Sequence, residues 1–346
     1  MTAAAATPAP DLAARSDDTA FLGHPKGLGY LCFAEACERF SYYSMQSLLV
    51  LYMVNHLLMP GNIENILGFE WLRQSFYGGL AGQPLASAIF GTYAALVYGT
   101  PIIGGIVADR WFGRRRTVLA GAILMSIGHF LMAFEAMFLL ALFCLVLGVG
   151  AFKGNIASQV GGLYGPNDLR RAMAFQLFYI AINVSVIVGP LVSGTLGEKI
   201  GWHWGFGAAG VMMVVGLAIY LSGQRWLPPD EAVDRAARAG RPKLRREDWP
   251  PLIALLLLIP VLAIALLTNQ QIFNAYLVWG DREFDLTFFG TVVPTTWLIT
   301  VDAAVSFSML VAVAAFWRAW GRKRREPDEL GKMIIGSFFR SPADFA

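Results

Sequence analysis

Eight long apolar blocks dominate this 346-residue sequence, at about 28–56, 85–108, 116–136, 137–163, 171–196, 204–224, 250–279 and 291–317. A bilayer core needs about 20 apolar residues for each spanning helix, so the blocks commit the chain to an all-α membrane fold. Composition agrees: 56% of residues are hydrophobic and only 15% charged, where a soluble domain carries about 25%. The blocks at 116–136 and 137–163 nearly touch, which predicts a tight turn near Glu135.

Positive charge sets the orientation, because loops rich in Lys and Arg stay in the cytoplasm. Spans 2 and 3 are joined by Asp109-Arg-Trp-Phe-Gly-Arg-Arg-Arg116, and Arg170 and Arg171 lie between spans 4 and 5. The segment 225–248 carries Arg225, Arg235, Arg238, Arg241, Lys243, Arg245 and Arg246, and Arg318, Arg322, Lys323, Arg324 and Arg325 follow span 8. The alternate loops hold few positives, chiefly Arg73, Lys199 and Arg282. The expectation is a multi-pass protein of the cytoplasmic (inner) membrane with its N-terminus in the cytoplasm. Residues 1–27 lack the apolar run of a signal peptide and read as a disordered cytoplasmic tail.

Other classes fall away. A net charge of +3 is too small to suggest nucleic acid. Cys32, Cys37 and Cys144 sit inside apolar blocks with no metal or disulfide spacing, and read as buried hydrophobes. No cofactor is implied. The spans show no Ser–His pairing or paired-metal spacing that would point to an enzyme. His24, His56, His129 and His203 are scattered and receive no role.

Six spans over 28–224, a charged linker over 225–248 and further spans over 249–346 follow the plan of a transporter built from two six-helix bundles. The second part holds two spans and an apolar run that begins at Met333 and gives out before Ala346. The sequence is thus expected to stop about four helices short of that plan.

The loop after span 2 reads Gly105-Ile-Val-Ala-Asp109-Arg110-Trp-Phe-Gly113-Arg114-Arg115-Arg116. An acid at a helix end can accept hydrogen bonds from a neighbouring helix N-terminus, whose dipole favours an anion. The segment resembles the loop signature of the major facilitator superfamily. That resemblance implies a conformational latch made by Gly105, Asp109, Arg110, Gly113 and Arg114; the bland alternative is that the arginines only set topology.

Span 1 contains Glu35-Ala-Cys-Glu38-Arg39-Phe-Ser-Tyr42-Tyr43-Ser44-Met-Gln46. Ionisable groups facing lipid cost at least a few kcal/mol each. At about 100° per residue, Glu35, Glu38, Arg39, Tyr42, Tyr43 and Gln46 fall within about 140° of arc, so this stripe must line a cavity or another helix. Glu35 and Arg39 are i,i+4 neighbours and can pair, which leaves Glu38 as the less compensated acid. The string resembles the E-x-x-E-R-F-x-Y-Y-G signature of the proton-dependent oligopeptide transporters, the POT or PTR family. By that resemblance Glu35 and Glu38 are proton-coupling acids, Arg39 is their partner, and Tyr42 and Tyr43 face the peptide. Ser44 replaces the family's glycine, and Gln46 stands where many members carry an arginine for the peptide carboxylate.

Further resemblances extend over about residues 25–340. Lys153, in Gly150-Ala-Phe-Lys153-Gly154-Asn155-Ile156, matches a substrate-contacting lysine, with Gly154 in place of the family's proline; Gly150 and Gly154 also make a close-packing G-x-x-x-G face. Asn183, one face with Gln176 and Tyr179, matches an asparagine that bonds the peptide backbone, or serves as inter-helix glue. Tyr98 matches a pocket tyrosine, or is an ordinary interior one. Span 7 offers Asn269, where many members carry glutamate, and Gln270 beside it as further substrate contacts. Asp302 stands alone in span 8, either as a substitute anion for proton coupling or as a packing residue. The expected fold is that of the major facilitator superfamily, with a complete N-terminal bundle and the first two helices of the second. The expected function is proton-coupled symport of di- and tripeptides by alternating access, with peptide, protons and lipid bilayer as partners and no oligomeric state fixed. Two other readings stay open: transport of another small zwitterion or anion, and a transport-inactive fragment or assembly partner.

Overall fold

The computed structural model describes residues 18–165, 167–229, 245–322, 327–328, 331–332 and 335. The apolar blocks are mainly helical within it, as they must be where lipid offers backbone groups no partner; the block expected from 291 becomes helical only at Trp297. In chain order the helices are α1 Lys26–Tyr52, α2 Phe69–Tyr77, α3 Gly82–Val107, α4 Arg114–Leu131, α5 Phe138–Gly162, α6 Arg170–Gly189, α7 Thr195–Lys199, α8 Trp202–Ser222, α9 Trp249–Gln271, α10 Ala275–Glu283 and α11 Trp297–Gly321. Wider π-type turns extend α1 over Met53–Leu57 and α3 over Ala108–Phe112, and join α6 to α7 over Pro190–Gly194.

Among the described residues, five stretches are long and apolar enough to cross a bilayer: Gly82–Phe112, Glu135–Gly162, Arg170–Lys199, Trp202–Ser222 and Trp297–Gly321. The other three expected spans are helical but depart from a simple apolar span. Helix α1 carries Lys26, Glu35, Glu38 and Arg39, and α4 starts on three arginines. The block expected over 250–279 is broken: α9 ends at Gln271 and α10 starts at Ala275, with Asn274 between them at φ −130°, ψ −98°. The turn expected near Glu135 is present, as a short helical turn over Glu135–Met137.

Of the tail expected over 1–27, residues 1–17 lie outside the described residues, but 18–27 are ordered. The Asp18 carboxylate accepts the backbone N–H of Ala20 and of Lys26 at 3.0 and 2.9 Å. His24 Nδ1 lies 2.8 Å from the Tyr164 hydroxyl. Residues 230–244 of the expected linker, and Met333 at the start of the expected ninth helix, lie outside the described residues.

The chain divides into two compact units. The first comprises 1–242 and 273–300. Within it α1 is buried around most of its circumference, packed along α6 and α8; Leu28, Leu31, Met45, Leu48 and Leu49 are wholly buried. Helix α5 lies along α3 and α4, and α4 also along α8. Small residues set these crossings, since helices in lipid gain from close backbone approach. A Cβ added at Gly104 would overlap the Gly150 carbonyl, and one at Gly121 would sit 2.7 Å from the Gly148 carbonyl oxygen. Gly154, the other half of the expected G-x-x-x-G face, has only ordinary contact room, 3.8 Å to the Pro101 oxygen.

Segment 273–300 adds α10 and a two-stranded antiparallel ribbon, β1 Thr287–Phe288 and β2 Thr291–Val292, with Thr287 opposite Val292. The second unit, 243–272 and 301–346, contains α9 and the body of α11. Its described apolar side chains, such as Leu255, Leu257, Val305 and Met309, are largely exposed, as lipid-facing or bundle-facing helix surfaces are.

Candidate functional site

The polar stripe of α1 is interior. Glu35, Glu38 and Arg39 retain 3%, 1% and 3% exposure, so three ionisable groups share one water-poor space. Arg39 donates through Nε and Nη2 to the two oxygens of Glu38, the second bond at 2.6 Å. Its contact with Glu35 is single, Nε to Oε1 at 3.3 Å. This reverses the expected partition: the i,i+4 pair exists, but Glu38 is the compensated acid. The reason is shape, because the planar guanidinium fork satisfies a carboxylate best edge to edge, and Glu38 takes that edge. Glu35 Oε2 is buried and has no hydrogen-bond partner among the described residues.

Aromatic rings wall the cluster. The Arg39 guanidinium lies 4.9 Å from the Tyr42 ring centre. Tyr42 meets Tyr43 edge to face at 5.2 Å, and Tyr43 stacks on Phe273 at 6.1 Å. The Tyr42 hydroxyl, the Tyr93 hydroxyl from α3 and the Ser44 hydroxyl are buried with no partner among the described residues. Buried polar atoms normally find partners, so the Tyr42 and Tyr93 hydroxyls, both within electrostatic reach of Arg39, mark a place where a polar guest or water fits; Ser44 Oγ instead faces Gly189 on α6. Gln46, one turn further along, is buried as well.

Lys153 on α5 faces the same region. Its Nζ sits 4.6 Å from the Tyr98 ring centre, and it lies within electrostatic reach of Glu35, Glu38 and Arg39. The structure thus brings Glu35, Glu38, Arg39, Tyr42, Tyr43, Tyr98 and Lys153 together. Tyr93 joins them, a residue the sequence reading missed because it lies in an otherwise apolar run.

Asn183 stands on α6 with its amide donated to the Tyr179 carbonyl at 2.8 Å; Gln176 and Tyr179 on the same face are exposed. Gln270 and Asp302 belong to the second unit. Gln270 is half-buried and Asp302 exposed, with no ion pair to Asp302 among the described residues. The Asn269 side chain lies outside them.

At the other end of α3, the Asp109 carboxylate meets Arg114 Nη2 at 3.6 Å, both partly exposed. Gly113, at φ +80°, makes the turn into α4, a left-handed conformation that a side chain would strain. Gly105 and Arg110 both precede this turn, at the end of α3 and in its π-type extension. The next residue, Arg115, does more than the sequence suggested: its guanidinium donates to the carbonyls of Leu227 and, at 2.7 Å, Pro228, holding the chain as it leaves α8.

Comparison with known proteins bears on this site. The family described as PTR2, POT family, matches residues 115–235. The chain is 33% identical over 324 residues to the peptide transporter YePEPT of Yersinia enterocolitica, covering 88% of this chain and 59% of that protein. It is 37% identical over 230 residues to a di-/tripeptide transporter of Lactococcus lactis, covering 63% and 43%. The uncharacterized transporter YclF of Bacillus subtilis is 39% identical over 203 residues, 58% of this chain and 38% of YclF. The chain therefore spans less than two thirds of the length of these relatives. Among solved structures, a mutant of the peptide transporter POT in complex with alafosfalin matches with TM-score 0.68 and 28% identity, over 91% of this chain and 72% of the other. The same mutant with sulfate gives 0.66 and 27%, over 90% and 73%.

Proposed function

Since this chain belongs to the POT family, we propose that it carries di- and tripeptides across the cytoplasmic membrane together with protons, by alternating access. One observation supports this above the others: a buried Glu35–Glu38–Arg39 cluster opens onto tyrosines and Lys153 inside a membrane bundle. A peptide needs fixed charges of both signs and aromatic walls, and this cluster supplies them.

The geometry divides the labour. Glu38 is committed to Arg39 through two bonds, so it fixes the guanidinium. Glu35 has an oxygen without a donor, where an added proton displaces no existing bond. Glu35 is then the acid that takes and releases the proton, with Glu38 and Arg39 setting the field around it. Tyr42, Tyr43, Tyr98, Lys153, Gln46 and Asn183 contact the peptide; Asn269 and Gln270, which the sequence also offers as peptide contacts, belong to the second unit. Asp302 supplies a further anion for coupling. Gly105, Asp109, Arg110, Gly113 and Arg114 serve as the cytoplasmic latch, which puts the N-terminus in the cytoplasm. The two bundles of this plan are 28–224 and 249–346, with peptides, protons and lipid as partners.

The test is uptake of labelled dialanine into proteoliposomes under an inward proton gradient. Gradient-driven uptake, lost in Glu35→Gln with the fold intact, is the expected result. Uptake indifferent to the gradient, or retained at full rate and unchanged pH dependence in that variant, would overturn the coupling assignment. Asp302→Asn is expected to reduce uptake and flatten its pH dependence.

A further inference from the structure

At the far end of the first unit from the Asp109–Arg114 turn, Gly194-Thr195-Leu-Gly-Glu198 receives the start of α11. The N–H groups of Trp297, Leu298 and Ile299, the first in α11, bond the carbonyls of Pro294, Thr295 and Thr296, which leaves the Thr295 and Thr296 amides just before the helix to find partners elsewhere, at an N-terminus that favours an anion. Here one carboxylate takes both. Glu198 accepts the Thr295 N–H at 2.7 Å through Oε2, and the Thr296 N–H and hydroxyl at 2.9 and 2.7 Å through Oε1. The Trp297 indole donates to the Thr195 hydroxyl at 2.9 Å. Gly194 leaves the space that Thr296 occupies: a Cβ there would overlap the Thr296 hydroxyl and lie 2.6 Å from the Thr296 Cβ.

Neighbouring ties share the same end. The Thr295 hydroxyl donates to Asp281 Oδ1 at 2.7 Å, and Asp281 Oδ2 accepts the Asn55 amide at 2.9 Å. Arg282 donates to Gln83 at 2.9 Å and Ser87 to Asn274 at 2.8 Å. Asn55 follows α1, Gln83 and Ser87 open α3, and Glu198 closes α7. Segment 273–300 is thus fastened to the far ends of three parts of the bundle by polar bonds, beside the buried apolar side chains of Phe273, Leu277, Val278 and Ile299.

We propose that the Gly194–Glu198 turn is a socket, and that seating Thr295–Trp297 in it holds segment 273–300 closed over these helix ends during the transport cycle. Glu198 is the positioning residue, since it acts by capturing the start of α11 and touches no substrate. Its place in a cycle rests on the transport reading, but the socket itself is open to test without transport. Unseated, the amides and the carboxylate can exchange their bonds for water, so the socket can release without leaving buried groups unsatisfied.

The test uses the full chain in lipid nanodiscs, without peptide or proton gradient. Cys32, Cys37 and Cys144 are replaced by alanine. Spin labels are placed at Lys199→Cys and Thr291→Cys, both exposed positions. Electron–electron resonance distances in the otherwise unaltered chain should give one narrow peak. Glu198→Ala should add a longer-distance population several-fold larger than any in the unaltered chain, and Glu198→Gln, which keeps one acceptor oxygen, should fall between. Gly194→Ala should do the same without touching a charge, and Thr296→Gly beside it should restore the narrow peak by removing the atoms in the way. A Glu198 that served only local stability would not be mimicked by Gly194→Ala or rescued across the contact. Unchanged distances in Glu198→Gln and Gly194→Ala would overturn the socket, even if dialanine uptake fell. Shifted distances with no uptake in any form would support the socket and count against the transport reading alone.

Discussion

Glu38 grips Arg39 through two guanidinium nitrogens, whereas Glu35, one turn away on the same helix, meets it at a single 3.3 Å contact. Two acids of one motif therefore stand in different physical positions, and their variants should behave differently.

Removing the Glu38 charge leaves a buried guanidinium without its main partner, which costs about 3–5 kcal/mol. Glu35→Gln loses one long contact and should cost well under half of that. Thermal unfolding in detergent is the measurement. Equal losses for the two variants would show that Arg39 does not discriminate between the carboxylates.

The glycine crossings give a second contrast. Gly104→Ala drives a methyl into the Gly150 carbonyl, and overpacking of this kind costs about 1–3 kcal/mol. Gly154→Ala meets only ordinary contact distance and gains helix propensity of about 1 kcal/mol. The first should lower the midpoint of unfolding and the second should hold or raise it. A reversed order would mean that α3 and α5 do not cross where described.

Lys153 over the Tyr98 ring predicts a dependence on the ring face. A cation over an aromatic face is worth about 0.5–2 kcal/mol. Tyr98→Phe keeps that face and should leave the KM for dialanine within about two-fold, since 1.4 kcal/mol corresponds to tenfold. Tyr98→Leu should raise KM by about three- to ten-fold on the same scale. Equal effects of both substitutions would assign the role to the hydroxyl.

His24 gives a pH dependence outside the bilayer. Burial, then the nearby Arg170 charge, hold its imidazole below the ordinary value of 6.5, with the Asp168 carboxylate opposing. Asp168 is itself held below the usual carboxylate range by hydrogen bonds from Arg170. A lowered folded-state value means that the unfolded chain binds the proton first, so stability is full above about pH 6.5 and falls as the pH drops below it. Amide exchange at Phe21 and His24, whose N–H groups bond each other's carbonyls, should quicken over that range. His24→Gln should remove the dependence; if it persisted, another group would be responsible.

The helices and the α1 stripe were legible in the sequence because lipid allows few alternatives: long apolar blocks must be helical, and charges among them must face inward. The hand of the Arg39 pairing was not legible. Helical spacing places Glu35 beside Arg39, but which carboxylate takes the guanidinium edge depends on how Tyr42 and the surrounding helices leave room. Tyr93 was missed because one tyrosine in an apolar run carries no pattern. The Gly194–Glu198 socket was missed for a different reason: its residues look like an ordinary loop until Thr295, a hundred positions later, sits in it. The break at Asn274 escaped because Ile272 and Phe273 before it and Ala275-Tyr-Leu-Val-Trp279 after it read as a continued apolar run.

The glycine crossings among α3, α4 and α5 divide the first unit into seams of two kinds. Backbone pressed on backbone through Gly104 and Gly148 is dry, and nothing can replace the lost contact if those helices slide. The seam at Glu198, Asp281 and Asn55 is made of bonds that water can copy. Slippage should therefore be confined to the wet seam, with the glycine-bonded helices travelling as one rigid body, so that the seams, more than the helix count, set which parts of this protein can move.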